Sequence, residues 1–213
     1  MTKTSNNIVV LGGSFNPPTI AHVNVLDTAI KNLNAKFGLF VPSSNNYVSR
    51  KMKRQNGTIF SENSRLQMLS EICKNHPNMH VDTCEFGDDG RGHTYDTLCK
   101  IQAKYPDSKI VFIIGADKLS ILPRWHNANE FFEKFEFAVI PRENFDINKI
   151  INNNKVLSKY KHIFHTISIP VYDDLANISS TQARKAITQK DIVTLQTILE
   201  PSTYEIIKKE SKI

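Results

Sequence analysis

The sequence predicts an α/β protein built on a doubly wound, mostly parallel sheet with a helical C-terminal portion. Short apolar runs of strand character alternate along the chain with segments whose apolar residues recur at helical spacing. Two of those runs, Ile8–Leu11 and Ile110–Ile114, stop abruptly at glycine. The chain has 213 residues, 40% hydrophobic and 23% charged, which suits one globular domain. The expectation is a single domain over 1–213, with 178–213 its mainly helical part.

The elements follow in order. Ile8–Leu11 is a continuous apolar run ended by Gly12-Gly13, which reads as a buried strand. From Ala21 to Leu33, Val25, Leu26, Ala29, Ile30 and Leu33 fall on one helical face. Phe37–Val41 is a second strand, followed by Pro42 and a polar loop. Ser61 is placed to cap a helix carrying Leu66, Leu69, Ile72 and Cys73 on one face. Val81–Phe86 is expected as a third strand, and Tyr95, Leu98, Ile101, Gln102 and Tyr105 mark a helix that ends before Pro106. Ile110–Ile114 is the strongest strand signal. Phe137–Ile140 and Ile163–Ile169 are further strands, with a helical segment over Ile147–Leu157 between them. After Asn177 the chain turns helical, with Ser179, Ser180 or Thr181 at the cap and Pro201 in the first turn of the last helix. In such sheets ligands bind outside the carboxyl ends of the strands, so the loops after Leu11, Val41, Ile114 and Ile169 are singled out.

Composition narrows the function classes. Apolar runs such as Ile110–Ile114 are far short of the roughly 18–20 residues that span a bilayer, so no membrane span is expected. The opening MTKTSNN leads directly into a strand, so no secretory leader is expected either. Cys73, Cys84 and Cys99 form no CxxC pair and no metal spacing with histidine, and read as reduced thiols of a cytoplasmic protein. The net charge of +6 suits an anionic ligand and leaves polymer, membrane surface and small phosphate open.

The first strand runs into Gly12-Gly13-Ser14-Phe15-Asn16-Pro17-Pro18-Thr19-Ile20-Ala21-His22. Glycines there let backbone N–H groups approach an anion, and the helix that follows offers its positive end to phosphate. The segment matches neither the dinucleotide fingerprint nor the P-loop. His22 falls on the helix's first turn, where its imidazole can address the same anion. A tight strand–helix turn with a surface histidine is the plainer alternative.

That segment resembles the GxFxPxHxGH signature of nucleotidyltransferases that use an (H/T)xGH motif. Ile178-Ser179-Ser180-Thr181-Gln182-Ala183-Arg184 resembles the family's second signature, ISSTxIR, with Ala183 in place of the isoleucine. Gly115–His126 is similar to the GADxLxxLPxW stretch of nicotinate- and nicotinamide-mononucleotide adenylyltransferases, and His93–Leu98 to their YTxDTL segment. Thr19 stands where the family's first histidine usually is, and Ala21 replaces the glycine. The Thr-x-x-His form behind Ser-Phe-Asn-Pro, with Tyr47 and Arg50-Lys51, looks like the eukaryotic enzymes, whereas the LPxW stretch looks bacterial.

The resemblance implies a Rossmann-like nucleotidyltransferase fold and adenylyl transfer from ATP to the 5′-phosphate of nicotinate or nicotinamide mononucleotide, with pyrophosphate leaving. It implies His22, Thr19 and Arg184 as the catalytic set, His22 at the α-phosphate and Thr19 as a neutral donor. Gly13, Ser14, Phe15, Ser180, Thr181 and Asp117 join His22 and Arg184 around ATP. Asn16, Lys51, Thr94, Trp125 and His126 serve the mononucleotide, with Trp125 stacking on the pyridine ring. Mg²⁺ is expected to arrive with ATP on phosphate oxygens and water, with no dedicated protein metal site.

Three rivals stand beside this expectation: a sister transferase acting on phosphopantetheine or a polyol phosphate, a non-catalytic nucleotide sensor, and a nucleic-acid binder. The sister families share the first signature but lack the aspartate-to-tryptophan stretch. His22, Ser180 and Arg184 argue against a sensor. The basic run Arg50–Arg54 motivates the polymer binder, but no RNA module or recognition helix accompanies it, so no nucleic-acid partner is expected. A homo-oligomer stays open, as does the choice between acid and amide mononucleotide.

Overall fold

The computed structural model describes residues 5–53, 59–87, 92–168 and 178–211. Six strands form one sheet in the order β3-β2-β1-β4-β5-β6. They are β1 (Asn7–Gly13), β2 (Phe37–Pro42), β3 (Met79–Val81), β4 (Lys109–Gly115), β5 (Glu136–Ile140) and β6 (Phe164–Thr166). The β1·β4, β4·β5 and β5·β6 pairs are parallel, with Ile8 opposite Ile110, Phe112 opposite Phe137 and Ala138 opposite His165. The strand order reverses between β1 and β4, as the doubly wound expectation requires.

The intervening helices are α1 (Ile20–Asn32), α2 (Asn45–Lys53), α3 (Glu62–Asn75), α4 (Thr94–Lys104), α5 (Ala128–Lys134) and α6 (Ile147–Asn153). Helices α7 (Ser180–Gln189), α8 (Ile192–Ile198) and α9 (Pro201–Ser211) follow, which makes 178–211 helical as expected. Ser61 caps α3 by accepting from the Ser64 amide, and Ser179 caps α7 by accepting from Gln182. Pro201 opens α9, where its missing N–H is not needed.

Internal contacts group the chain into two compact units. The first comprises Met1–Gly12, Val25–Leu39 and His93–Pro170. Its core is the apolar strand residues Ile8, Val9, Val10, Val111 and Phe137 with Leu26, Phe131 and Phe132, all essentially inaccessible. The second comprises Gly13–Asn24, Phe40–Gly92 and Val171–Ile213. There Met68 of α3 packs with Ala183, Leu195, Ile198 and Ile207 of the three C-terminal helices.

Several local expectations change. The loop expected after Pro42 is helix α2, held by two buried side chains one turn apart, Val48 and Met52. The third strand is Met79–Val81 and not Val81–Phe86, because Asp82 Oδ1 accepts from the Cys84 amide and turns the chain. The helix expected over 147–157 ends at Asn153, where Asn154 Oδ1 takes the amides of Val156 and Leu157 and starts a 3-10 segment over Leu157–Ile163. That segment delays β6 to Phe164, and Ile169, the expected strand end, lies outside the described residues. A second 3-10 segment, Ala116–Arg124, and helices α5 and α8 were not anticipated. The three cysteines are thiols, each half-buried, and burial pushes Cys73 up to about 11, which makes it a poor nucleophile. Among the described residues no helix is long and apolar enough to cross a membrane.

Candidate active site

The loop leaving β1 lies in the second unit and is tightly buried. Phe15 adopts φ +42°, an uncommon conformation for an aromatic residue that costs on the order of 1–3 kcal/mol. Its ring is 1% exposed and makes edge contacts with Phe40 at 5.4 Å and His22 at 5.2 Å, which offset that cost. A Cβ on Gly13 would come within 3.2 Å of this ring, a tight contact that would press on Phe15. Asn16 is fully buried, and its Oδ1 accepts from the Phe60 amide at 2.8 Å.

Thr19 is also fully buried and orients His22. Its amide donates to His22 Nδ1 at 3.1 Å, and its hydroxyl lies 2.8 Å from the same nitrogen. An amide can only donate, so Nδ1 is the acceptor and the ring proton is on Nε2. The histidine therefore presents an N–H donor from a ring fixed by the Thr19 contacts and by Phe15. The Thr19 hydroxyl, expected as a neutral donor to phosphate, lies on His22.

Helix α7 meets the same loop. Ser180 Oγ donates to the Pro17 carbonyl at 2.8 Å. Arg184, 8% exposed, donates to the Asn16 carbonyl at 2.9 Å and to Thr181 Oγ1 at 3.0 Å, and burial lowers its pKa. The second signature is thus fastened directly to the first.

Arg65 of α3 was missed by the sequence. It is fully buried, and burial lowers its pKa while Glu62 and Glu85 work in the opposite direction. Its Nη1 donates to the Ser14 carbonyl at 2.8 Å, and its Nη2 to the Ser43 carbonyl at 2.7 Å and to Asn45 Oδ1 at 3.1 Å. The face expected on α3 was Leu66, Leu69, Ile72 and Cys73; the buried face is Arg65, Met68, Leu69 and Ile72. The legible signal was an arginine at i−3 and i−4 from two apolar residues. Lys51, exposed on α2, reaches Ser14 Oγ at 3.3 Å. Arg50 and Lys53 share that helix, and Arg54 lies outside the described residues.

Asp117, Thr94, Trp125 and His126 belong to the first unit. Asp117 lies in the first turn of the 3-10 segment after β4 and pairs with Lys118 at 2.8 Å. A Cβ on Gly115 would lie 2.4 Å from Asp117 Oδ1, so a side chain at this strand end would displace that carboxylate. Half-buried Trp125 rests on Phe131, ring centres 6.2 Å apart, with an edge contact to Phe112 at 6.4 Å. Thr94 is the first residue of α4, and its neighbour His93 stacks on His126 at 4.2 Å. That stacking brings the α4 N-terminus to the Trp125–His126 turn. Among the described residues no three His, Cys, Asp or Glu side chains cluster as metal ligands.

Comparison with known proteins gives a consistent result. The model of the cytidylyltransferase-like family matches residues 10–186. A probable nicotinate-nucleotide adenylyltransferase of Fusobacterium nucleatum is 30% identical over 207 residues, 95% of this chain and 97% of that protein. One from Geobacillus thermodenitrificans is 33% identical over 140 residues, 66% of this chain and 62% of that protein. Among solved structures, the Plasmodium falciparum nicotinic acid mononucleotide adenylyltransferase complexed with NaAD aligns with a TM-score of 0.72 at 23% identity, covering 96% of this chain and 95% of that one. This last likeness is one of fold.

Proposed function

The chain belongs to the cytidylyltransferase-like family and, within it, to the nicotinate-nucleotide adenylyltransferases, and on that premise we propose that it makes a pyridine dinucleotide from Mg-ATP. The 5′-phosphate of nicotinate mononucleotide attacks the α-phosphorus in line. The bond from that phosphorus to the β-phosphate oxygen breaks, and pyrophosphate leaves. The attacking phosphate is already ionised near pH 7, so no general base is needed, and rate comes from positioning and charge stabilisation.

The observation that carries this proposal is the His22 ring, held with Nδ1 on the Thr19 amide so that Nε2–H is the donor. That donor suits a non-bridging oxygen of the α-phosphate, where negative charge grows in the transition state. Backbone amides of Gly13, Ser14 and Phe15 would hold the triphosphate. Ser180, Thr181 and Arg184 at the start of α7 would face its departing end, with the helix N-terminus adding positive potential. Asp117 would accept from a ribose hydroxyl of ATP. Lys51 is the cation for the mononucleotide phosphate, and Asn16 shapes the loop that meets it. Trp125 would stack on the pyridine ring, while Thr94, the α4 N-terminus and the His126 backbone would receive its carboxylate.

Magnesium enters as part of the substrate. The side chains around the loop are hydroxyls, an imidazole and cations, so the ion would be carried by phosphate oxygens and water. The half-buried thiols suit a reducing, cytoplasmic setting for this reaction.

Pyrophosphate release from Mg-ATP, run in parallel with nicotinate mononucleotide, nicotinamide mononucleotide and phosphopantetheine, tests the proposal. Turnover should require a pyridine mononucleotide and be fastest with the acid. Turnover with phosphopantetheine alone would move the protein to a sister activity.

A further inference from the structure

Arg65 is a fully buried guanidinium in a helix face otherwise made of Met68, Leu69 and Ile72. Burying a guanidinium is expensive unless its donors are aimed at acceptors, and a residue such as leucine would fill the same face without that cost. Two donors of Arg65 meet main-chain carbonyls from different loops, Ser14 after β1 and Ser43 after β2. The Ser43 amide also donates to the Gly13 carbonyl at 2.9 Å, so consecutive peptide units of the first loop are tied to the second.

The tie extends into α2. Arg65 Nη2 also holds Asn45 Oδ1, and the Asn45 amide donates to Glu62 Oε1 at 2.6 Å, so two α3 residues grip the first residue of α2. Six residues on, Lys51 reaches back to Ser14 Oγ. The contacts thus close a circuit from Ser14 through Arg65, Asn45 and α2 to Lys51 and back to Ser14.

We propose that Arg65 is a positioning residue for adenylyl transfer: its fork fixes the separation between the loop after β1 and the helix that carries Lys51. This rests on the function proposed above. The fork matters because a planar guanidinium reaches the two carbonyls from two separate nitrogens, whereas the three donors of a lysine ammonium all radiate from one point. Misplacing such groups by about 1 Å costs on the order of a hundredfold in rate.

The test uses the full chain, with Arg65→Ala and Arg65→Lys assayed beside wild type by pyrophosphate release and Mg-ATP titration calorimetry. Circular dichroism gives the folded fraction. With saturating substrates, kcat should fall about a hundredfold in the alanine variant and about tenfold in the lysine variant. Millimolar guanidinium chloride should restore about tenfold of the lost rate in Arg65→Ala, and none in Arg65→Lys, whose side chain fills the site. Restoration of rate is a response that a role confined to stability would not give.

An alanine variant within about threefold of wild type in kcat overturns the inference, as does a loss that tracks the folded fraction and ignores guanidinium. If the alanine variant does not fold, the lysine variant decides, and wild-type kcat there overturns the fork argument. A wild-type protein that binds Mg-ATP without turnover refutes the proposed function alone. Arg65 is then judged on Kd for Mg-ATP, which should weaken about tenfold in the lysine variant, an unchanged value overturning the inference. A wild-type protein that neither binds nor turns over Mg-ATP overturns both.

Discussion

Replacing His22 with alanine removes a donor whose direction the fold has already fixed. Nδ1 is occupied by the Thr19 amide at 3.1 Å, and the ring is braced edge-on by Phe15 at 5.2 Å, so little reorganisation is left for the transition state. Losing one such preorganised donor costs about 2.7–4 kcal/mol, which is a fall of about 10²–10³ in kcat. Folding loses the aromatic edge contact, about 0.5–1.5 kcal/mol, and the Nδ1 acceptor of the buried Thr19 amide and hydroxyl, about 1–3 kcal/mol more, for a Tm drop of several degrees. The assay is kcat from pyrophosphate release at saturating Mg-ATP and nicotinate mononucleotide, 20 °C or more below the variant's Tm. His22→Gln supplies the control, since its amide NH₂ can reach the Nε2 position as a neutral donor and should recover about tenfold over alanine. An alanine variant within about threefold of wild-type kcat would remove His22 from the chemistry. A glutamine variant no better than alanine would refute the neutral-donor argument in particular.

Trp125→Ala should raise KM for the mononucleotide about tenfold while leaving that for Mg-ATP within about twofold, since base–aromatic stacking is worth roughly 1–3 kcal/mol. Equal losses on both substrates would contradict stacking. Gly115→Ala would place a Cβ 2.4 Å from Asp117 Oδ1, and the half-exposed carboxylate can swing aside. Melting should therefore change little, while KM for Mg-ATP rises about tenfold through loss of a charged hydrogen bond; unchanged KM would release Asp117 from ribose binding. Glu136 is partly buried, which raises its pKa, but Lys109 at 2.7 Å and His165 at 2.8 Å more than offset this and hold it below its ordinary 4.5. A depressed folded-state pKa contributes stability above 4.5 that is lost as pH falls through the folded value. The Tm gap between wild type and Glu136→Gln should be widest near neutrality and close under acid, and a gap constant to pH 3 would contradict the linkage.

How far the sequence was legible follows from what each element depends on. Strands β1 and β4 were readable because their residues are apolar on both faces and each run ends at glycine, and β5 because it is short, aromatic and unbroken. Helix α2 was not, because seven of its nine residues are polar or exposed and only Val48 and Met52 anchor it. Its helicity comes from tertiary grip, with Glu62 and Arg65 of α3 holding Asn45, and pattern carries no record of that. Arg65 was hidden for a related reason: a cation on an apolar face reads as an interruption until its partners, 22 and 51 residues away in sequence, are seen. The residues proposed for the pyridine ring were named by motif, but the His93–His126 stack that brings their segments together was not.

Thr19 shows how a departure from a signature can preserve its purpose. Where the resemblance leads one to expect a second histidine, threonine forfeits a group able to carry charge. It gains a short, fully buried side chain whose hydroxyl joins the backbone amide on Nδ1 of the remaining histidine. The exchange replaces an electrostatic contribution with a constraint on tautomer and angle. The missing positive charge must then come from neighbours, and the chain has them in Lys51 on Ser14 and Arg184 on Asn16, both fastened to the same loop. On the proposed function this distribution would give the +6 net charge a specific use, since two small polyanions have to be held together against their mutual repulsion. Thr19→Val keeps the volume and the amide and removes only the hydroxyl. Its kcat should fall less than that of His22→Ala, by about tenfold, because one of two restraints on the ring survives. A loss equal to that of the histidine variant would mean that the hydroxyl itself reaches the substrate, and that its contact with the ring is secondary.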